Sequence, residues 1–471
     1  MEGMTELLLR TEAFVSDLIL KAEAVMWGPW MLVLLAATGL LLSVRTKFVQ
    51  FRRFGYGVKL VMLGAAHRDR SEKQEGDITP FEALTTALAA TVGNGNIAGV
   101  ATAIATGGPG APFWMVLIAF LGMATKYAEA VLGVKFRRVA EDGTMSGGPM
   151  YYIEKGLGLK WLATVFAVFG LIAGVAVGNM AQSNSVAKVF ETKFAIPSAA
   201  TGIFLMIITW LVIVGGIRRI AHVTEALVPT MVIVYIVSGL TILALRYDAI
   251  PATIALIFRS AFTPTAAAGG FLGATVAKAM RLGISRGLLS NEAGLGSAPI
   301  AHGAAKTKSA VRQGFVAMMG VFIDTILVCS MTSLVILLSG QWKGFFEDGI
   351  TQLSSTPLTA AAFDSVLQVG QLKIGGYIVA VCSILFGYST LIGWSYYNEQ
   401  FVRYIWGPRA VPLYRWIFCA ICVLGAVATI ELIWSFGTLC VAFMAIPNLI
   451  ALILLSGVVG KETLAYREED E

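Results

Sequence analysis

Apolar stretches of about twenty residues, long enough to cross a hydrocarbon core as helices, follow one another along most of this chain and leave few folds open to it. Eleven can be marked between charged breaks, near 27–46, 81–106, 112–135, 161–185, 197–217, 222–245, 251–280, 311–339, 374–400, 412–434 and 435–458. In lipid the backbone has to satisfy its own hydrogen bonds, so stretches of this length read as helices. The expectation is an all-α polytopic membrane protein of about eleven transmembrane helices, with one integral membrane domain over 27–458. The composition agrees: 57% of the 471 residues are hydrophobic and only 14% charged. Residues 1–26 are amphipathic and slightly acidic, the wrong sign for a signal peptide, and read as an interfacial segment. Residues 459–471 read as a tail.

Charge supplies an orientation. Assigning alternate loops to one side gathers 26 of the 35 Lys and Arg there. The positive-inside rule then puts the N-terminus outside and the C-terminus in the cytoplasm of a cell-membrane protein. Basic residues placed between spans in this way do not point to a nucleic-acid partner. The five cysteines (Cys329, Cys382, Cys419, Cys422 and Cys440) all lie in apolar stretches and read as small buried hydrophobes. The seventh span is the least regular, because Lys278, Arg281 and Arg286 interrupt it. It is placed at 251–280, with 281–310 as a cytoplasmic segment of short helices. The alternative is a crossing at 270–304 that leaves 251–268 outside.

Two spans break their own helices. "GNGN", Gly93 to Asn96, lies mid-span; each glycine costs about 1 kcal/mol relative to alanine in a helix, and asparagine offers the backbone competing hydrogen bonds. Non-helical backbone at that depth is tolerated only when buried in protein or lining a cavity. The second break is "AFTPTAAAGGFLG", with Pro264, Gly269 and Gly270. Five crossings separate the two, so they run in opposite directions, each opening a block of five spans (about 81–245 and 251–458). The span 27–46 is left in front. Inverted five-helix blocks that open on discontinuous helices are an architecture in which transporters bind substrate and ions near the midplane. Backbone N–H groups around Gly93, Asn94 and Gly95 can take a small carboxylate, while the carbonyls of Ala89 to Val92 and the Asn96 amide can take a cation. The ligand this implies is a small zwitterion.

At these residues the chain resembles the alanine or glycine:cation symporter family, which has a leucine-transporter-like fold. "TVGNGNIAGVATAI", "GGPGAPFWM", "GGPMYYIEKGLG", "FTPTAAAGGFLG", "RGLLSNEAGLGSAPIAH" and "FIDTILVCSMTSL" run in the family's order from Thr91 to Leu334. Two positions depart from it, Val116 after "FWM" and Asn94 between the glycines. The resemblance implies sodium-coupled symport of small neutral amino acids, alanine and glycine, with Na+ as coupling ion, no organic cofactor and no obligate protein partner. It implies two cation sites. One uses the Thr91 carbonyl and Asn96 with Asp324 or Thr325; the other uses the carbonyls of Ala89 and Val92 with the Ser389 and Thr390 hydroxyls beside Phe386. Hard oxygen ligands suit such an ion. On the substrate side stand Thr91, Gly93, Asn94 and Gly95, with Asn179 and Gln182 on one face of the fourth span. Thr263, Gly269, Gly270 and Phe271 join them from the second break, and Trp394 and Phe386 as an apolar wall.

Each of these residues also has a plainer reading: hydroxyl back-bonding for Ser389 and Thr390, interhelical bonding for Asn179 and Gln182, and packing for the aromatics. Asp324 is the most telling, since a carboxylate in a span is expensive. Lys126 and Glu129, three apart in one span, read as a structural pair. The chain has no H-E-x-x-H, G-x-S-x-G or Walker lysine motif, which speaks against an enzyme. A channel is the other rival, since broken helices also build filters. Proton coupling through Asp324 or Glu129 is the alternative within the same fold.

Overall fold

The computed structural model describes residues 15–66, 75–263, 276–343, 353–429 and 431–466. Among them eight helices are long and apolar enough to cross a membrane, and nine if the bent pair Pro80–Thr91 and Gly95–Gly107 is one span. The principal helices are α1 (Pro29–Arg45), α2 (Pro80–Thr91), α3 (Val100–Gly107), α4 (Ala111–Lys135), α5 (Lys160–Ala173), α6 (Ala181–Phe194), α7 (Ser198–Ile213) and α8 (Gly216–Leu245). The later ones are α9 (Ile250–Phe262), α10 (Val276–Asn291), α11 (Ala310–Val321), α12 (Ser330–Ser339), α13 (Ser355–Asp364), α14 (Ile374–Trp406), α15 (Val411–Val427) and α16 (Glu431–Leu454). Two β-ribbons of two-residue strands sit in connections. Single π-helical segments join α5 to α6 (Gly174–Met180) and α11 to α12 (Phe322–Cys329).

The helices pair across the middle of the chain. α4 packs on α11, α6 on α14, α7 on α15 and α3 on α10. Each of these joins a helix to its counterpart five crossings later. Trp210 and Trp416 stack at the α7–α15 contact with centroids 3.6 Å apart.

The seventh span corrects the expectation. Residues 281–310 are not a peripheral segment: α10 is one helix of 16 residues that packs along α3 and α4, its last residues Ser290 and Asn291 are buried, and so are Ser297 and His302 beyond it. The alternative crossing at 270–304 begins in residues 270–275, which lie outside the described residues. α9 ends against the start of α4, where the Trp114 indole N–H donates to the Ala261 carbonyl at 3.3 Å, and Ile254, Phe258 and Phe262 stay exposed. Pro264, Gly269, Gly270 and Phe271 lie outside the described residues, as do 1–14 of the N-terminal segment and 467–471 of the tail.

Candidate functional site

α2 starts on a capping box, with Thr79 Oγ1 accepting the Glu82 N–H at 3.2 Å and the Glu82 carboxylate accepting the Thr79 N–H at 2.6 Å. It ends where Val92 turns extended (φ −74°, ψ 91°), and the chain bends by 53° into the next helical piece. Two backbone bonds mark the break, Val92 N–H to Leu88 carbonyl (2.7 Å) and Asn96 N–H to Gly93 carbonyl (3.1 Å). The Gly93 N–H goes to the Asn96 side-chain oxygen at 2.8 Å instead of back to Ala89. Among the described residues the carbonyls of Ala89, Ala90 and Thr91 therefore receive no backbone N–H. Freed carbonyls at a half-helix C-terminus carry the negative end of the helix dipole.

Two groups flank this shelf. On one side α14 brings Ser389 Oγ to 3.5 Å from the Val92 carbonyl and Thr390 so close to Gly93 that a Cβ there would lie 2.6 Å from its hydroxyl. Both hydroxyls also bond the Phe386 carbonyl at 2.9 Å. The back-bonding reading thus holds for them without removing their free lone pairs from the break. The Phe386 ring itself packs on Tyr235, centroids 5.6 Å apart. Thr91 turns its hydroxyl back to Ala87 at 3.2 Å, leaving its carbonyl as the group available.

On the other side is Asp324, fully buried in the π segment Phe322–Cys329. Its carboxylate accepts from Asn96 Nδ2 (2.7 Å), Ser290 Oγ (2.9 Å) and Thr325 Oγ1 (2.7 Å). Asn291 Nδ2 in turn donates to Thr325 Oγ1 at 3.1 Å. Hydroxyls that donate to a carboxylate keep lone pairs for a cation, so this arrangement offers one formal negative charge with neutral oxygens around it. No cluster of three or more acidic, His or Cys side chains occurs among the described residues.

Above the break a vestibule of about 1000 Å³ opens on the face that carries Lys188, Lys193, Asp364 and Lys373, and reaches down to Asn94, Gly95 and Ser383. Asn94 ties its floor together: its oxygen accepts from Ser383 Oγ at 2.6 Å, and its Nδ2 lies 3.5 Å from Gln182 Oε1. Asn179 is not part of the floor. Its Nδ2 donates to the Phe418 carbonyl on α15 at 2.7 Å, while Asn184 and Ser185 line the vestibule from the same helix. Trp394 is buried deeper, against Gly178, where a Cβ would come within 2.5 Å of it. Thr263 is exposed at the end of α9, bonded to the Arg259 carbonyl, away from the floor. Ser290, Asn291 and Ser383 also belong to the site: the first two lie in the tight "SNEAG" run that ends on Gly294, a signal of their role, while nothing in the sequence around Ser383 marks it.

Lys126 and Glu129 also differ from expectation. They do not bond each other; Lys126 Nζ donates to the Asn291 carbonyl at 2.7 Å and Glu129 accepts from Gly294, Gly296 and Asn448.

A model of the sodium:alanine symporter family matches residues 12–471. A sodium/alanine symporter of Methanococcus maripaludis is 48% identical over 459 residues, covering 97% of this chain and 98% of that protein. A probable sodium/glutamine symporter of Bacillus subtilis is 37% identical over 439 residues, 93% of this chain and 88% of that one. Among solved structures, a manganese transporter of Eremococcus coleocola superposes with a TM-score of 0.51 over 82% of this chain and 83% of its own, at 15% identity, which speaks to the fold alone.

Proposed function

The chain belongs to the sodium:alanine symporter family, and on that premise we propose that it carries small neutral amino acids, alanine and glycine, into the cell together with Na+. It is a multi-pass membrane transporter and not an enzyme. The observation that carries the reading is the pair of oxygen-rich loci on either side of one break. Ser389 lies against the Val92 carbonyl and Thr390 against Gly93, in the same break as the unclosed carbonyls of Ala89 to Thr91, and Asp324 sits with Asn96, Thr325 and Ser290. Both suit a monovalent hard cation. The carboxylate of a zwitterion is assigned to the N–H groups that open after Gly93, where the positive end of the second half-helix points. Asn94, Gly95, Gln182 and Ser383 form the floor that would hold it.

Size supports a small side chain. The floor is built from short polar groups, and Gly387 is hemmed by Val186, Asn94 and Gln182. In this reading the vestibule faces the outside and the C-terminus the cytoplasm, as the basic loops require.

The test is uptake in sealed vesicles of purified protein. Labelled alanine should accumulate only when Na+ is higher outside. Equal accumulation in choline driven by a proton gradient would replace Na+ by H+ as the coupling ion. Uptake of glutamine in preference to alanine would overturn the substrate assignment.

A further inference from the structure

Lys126 and Glu129 on α4 have no task in the reading above, yet both are buried, at 2% and 0% exposure. What they hold is one loop. Between α10 and the following short helix, φ is positive at Glu292 (55°), Gly294 (91°) and Gly296 (83°). Left-handed residues alternating in this way turn backbone N–H groups into one concavity, a nest that binds an anion. Here the chain supplies the anion itself. Glu129 Oε1 accepts from the N–H of Gly294 at 3.1 Å and of Gly296 at 3.0 Å, and from Asn448 Nδ2 at 2.7 Å. Asn448 also donates to the Gly294 carbonyl at 2.9 Å, closing the nest from α16.

The loop leads directly to the Asp324 locus. Lys126 fixes the Asn291 carbonyl at 2.7 Å, and the Asn291 side-chain oxygen accepts the Ala293 N–H at 3.0 Å. Its Nδ2 then meets Thr325, and its neighbour Ser290 meets Asp324. We propose that Glu129 is a positioning residue for cation binding at Asp324: by filling the nest it sets where Ser290 and Asn291 stand, with Lys126 as the second clamp. This rests on the cation reading of Asp324. The role rests first on the reach of an acceptor oxygen and only second on its charge, because the partners it gathers are two backbone N–H groups and an amide.

That distinction gives the experiment. In proteoliposomes the half-saturating Na+ concentration, the maximal alanine uptake at saturating Na+ and the pH profile are measured for Glu129→Gln, which keeps an acceptor at the same reach, and Glu129→Asp, which keeps the charge one methylene short. Glu129→Asp is expected to raise half-saturating Na+ by about tenfold, as for one misplaced charge-assisted hydrogen bond, with maximal uptake recovering at saturating Na+. The conservative Glu129→Gln is expected to restore Na+ dependence to within about threefold with an unchanged pH profile. A Gln variant more impaired than the Asp variant, with a shifted pH profile, would mean that the carboxylate carries an ion or proton itself and would overturn the proposal. So would a folded Asp variant with wild-type Na+ dependence. Should Glu129→Asp fail to fold, Asn448→Ala, which removes one donor to the same oxygen, is measured with the same expectation and the same refutation. Asp324→Asn separates the two levels. Wild-type Na+ dependence there overturns the cation reading and this inference with it, whereas a shift at Asp324 with none at Glu129 overturns the inference alone.

Discussion

Asn96 is where the break, the carboxylate and the proposed ion meet, and its replacement by alanine has consequences that can be worked from distances. Its oxygen is the acceptor of the Gly93 N–H at 2.8 Å, and its Nδ2 reaches the Asp324 carboxylate at 2.7 Å, the Asp324 carbonyl at 3.2 Å and Cys329 Sγ at 3.3 Å. Asn96→Ala leaves a buried N–H without its acceptor and strips one of three donors from a buried carboxylate. Each such loss costs about 1–3 kcal/mol. The chain can escape part of this by letting Gly93 N–H return to Ala89, rewinding α2 and occupying a carbonyl that the ion would use. If one such cost falls on the ion-bound state, half-saturating Na+ should rise by roughly 5- to 150-fold. Substrate affinity measured at saturating Na+ should then recover most of its wild-type value, because ion and substrate are linked by one coupling free energy. The assay is labelled-alanine uptake across a Na+ titration, paired with the melting temperature of detergent-purified protein with and without Na+, since a ligand stabilises only the state that binds it. A variant that expresses poorly but keeps wild-type Na+ dependence and the wild-type thermal shift in Na+ would make Asn96 a packing residue and refute the reasoning.

Gly393→Ala should lose uptake and raise half-saturating Na+, because a Cβ there would sit 2.7 Å from the Ala90 nitrogen and 3.0 Å from its Cα; backbone cannot yield, and overpacking of this kind costs about 1–3 kcal/mol. Unchanged Na+ titration would show that α14 and α2 separate freely. Ser383→Ala removes the 2.6 Å donor to Asn94 and should raise the KM for alanine about fivefold, the equivalent of one hydrogen bond near 1 kcal/mol, with Na+ dependence intact at saturating substrate. Far from both loci, burial raises the Asp142 carboxyl, but Arg403 and the Thr144 hydroxyl and N–H outweigh it and hold it down at about 2. A lowered folded value stabilises above the ordinary carboxylate range, and the contribution is lost progressively as pH falls from about 4 through about 2. The melting-temperature deficit of Asp142→Asn should therefore be flat from about pH 5 to 8 and shrink as pH falls below about 4; a deficit that changes across neutral pH would contradict the pairing.

Among the described residues nine of the eleven apolar stretches carry a helix long enough to cross, counting the bent pair as one, because lipid imposes a length on any helix whose outer face it wets. Hydropathy failed at α10 because that helix meets protein on its packed face. Glycines do there what leucines do elsewhere: a Cβ at Gly283 would lie 2.2 Å from the Ala111 carbonyl, and one at Gly287 3.1 Å from Met115. Small residues let helices approach closely without adding apolar area, so Lys278, Arg281 and Arg286 dominate the sequence average while the helix is held by contacts the average does not register. Asn179 shows a second limit. A helical period of 3.6 puts it on the pocket face beside Gln182, but it lies within a π segment. The wider turn of that segment adds a residue, and each residue rotates the face by about 100°. The vestibule wall accordingly falls to Asn184 and Ser185, and Asn179 turns to α15.

The position of Asp324 follows from the same local irregularity. A regular α-helix consumes its own carbonyls, so a carboxylate on it can be approached only through side chains. In the π segment Phe322–Cys329, Asp324 presents both a carboxylate oxygen and its backbone carbonyl to Asn96. The break in α2, with its unclosed carbonyls, thus faces a widened turn of the eighth span that offers it a carboxylate and a carbonyl. The break could not persist in lipid alone, since each unpaired group would cost several kcal/mol. Its place beside the widened turn is held by Asn96 donating to Asp324, with Ser290 and Thr325 donating around it. A cation that enters replaces donors by charge, and at a shared carboxylate it has to displace or reorient at least one of them. On the proposed function, ion binding at Asp324 would then change the geometry of the break that holds Gly93 and Gly95, where the substrate carboxylate is proposed to sit, and the coupling between ion and amino acid would run through Asn96.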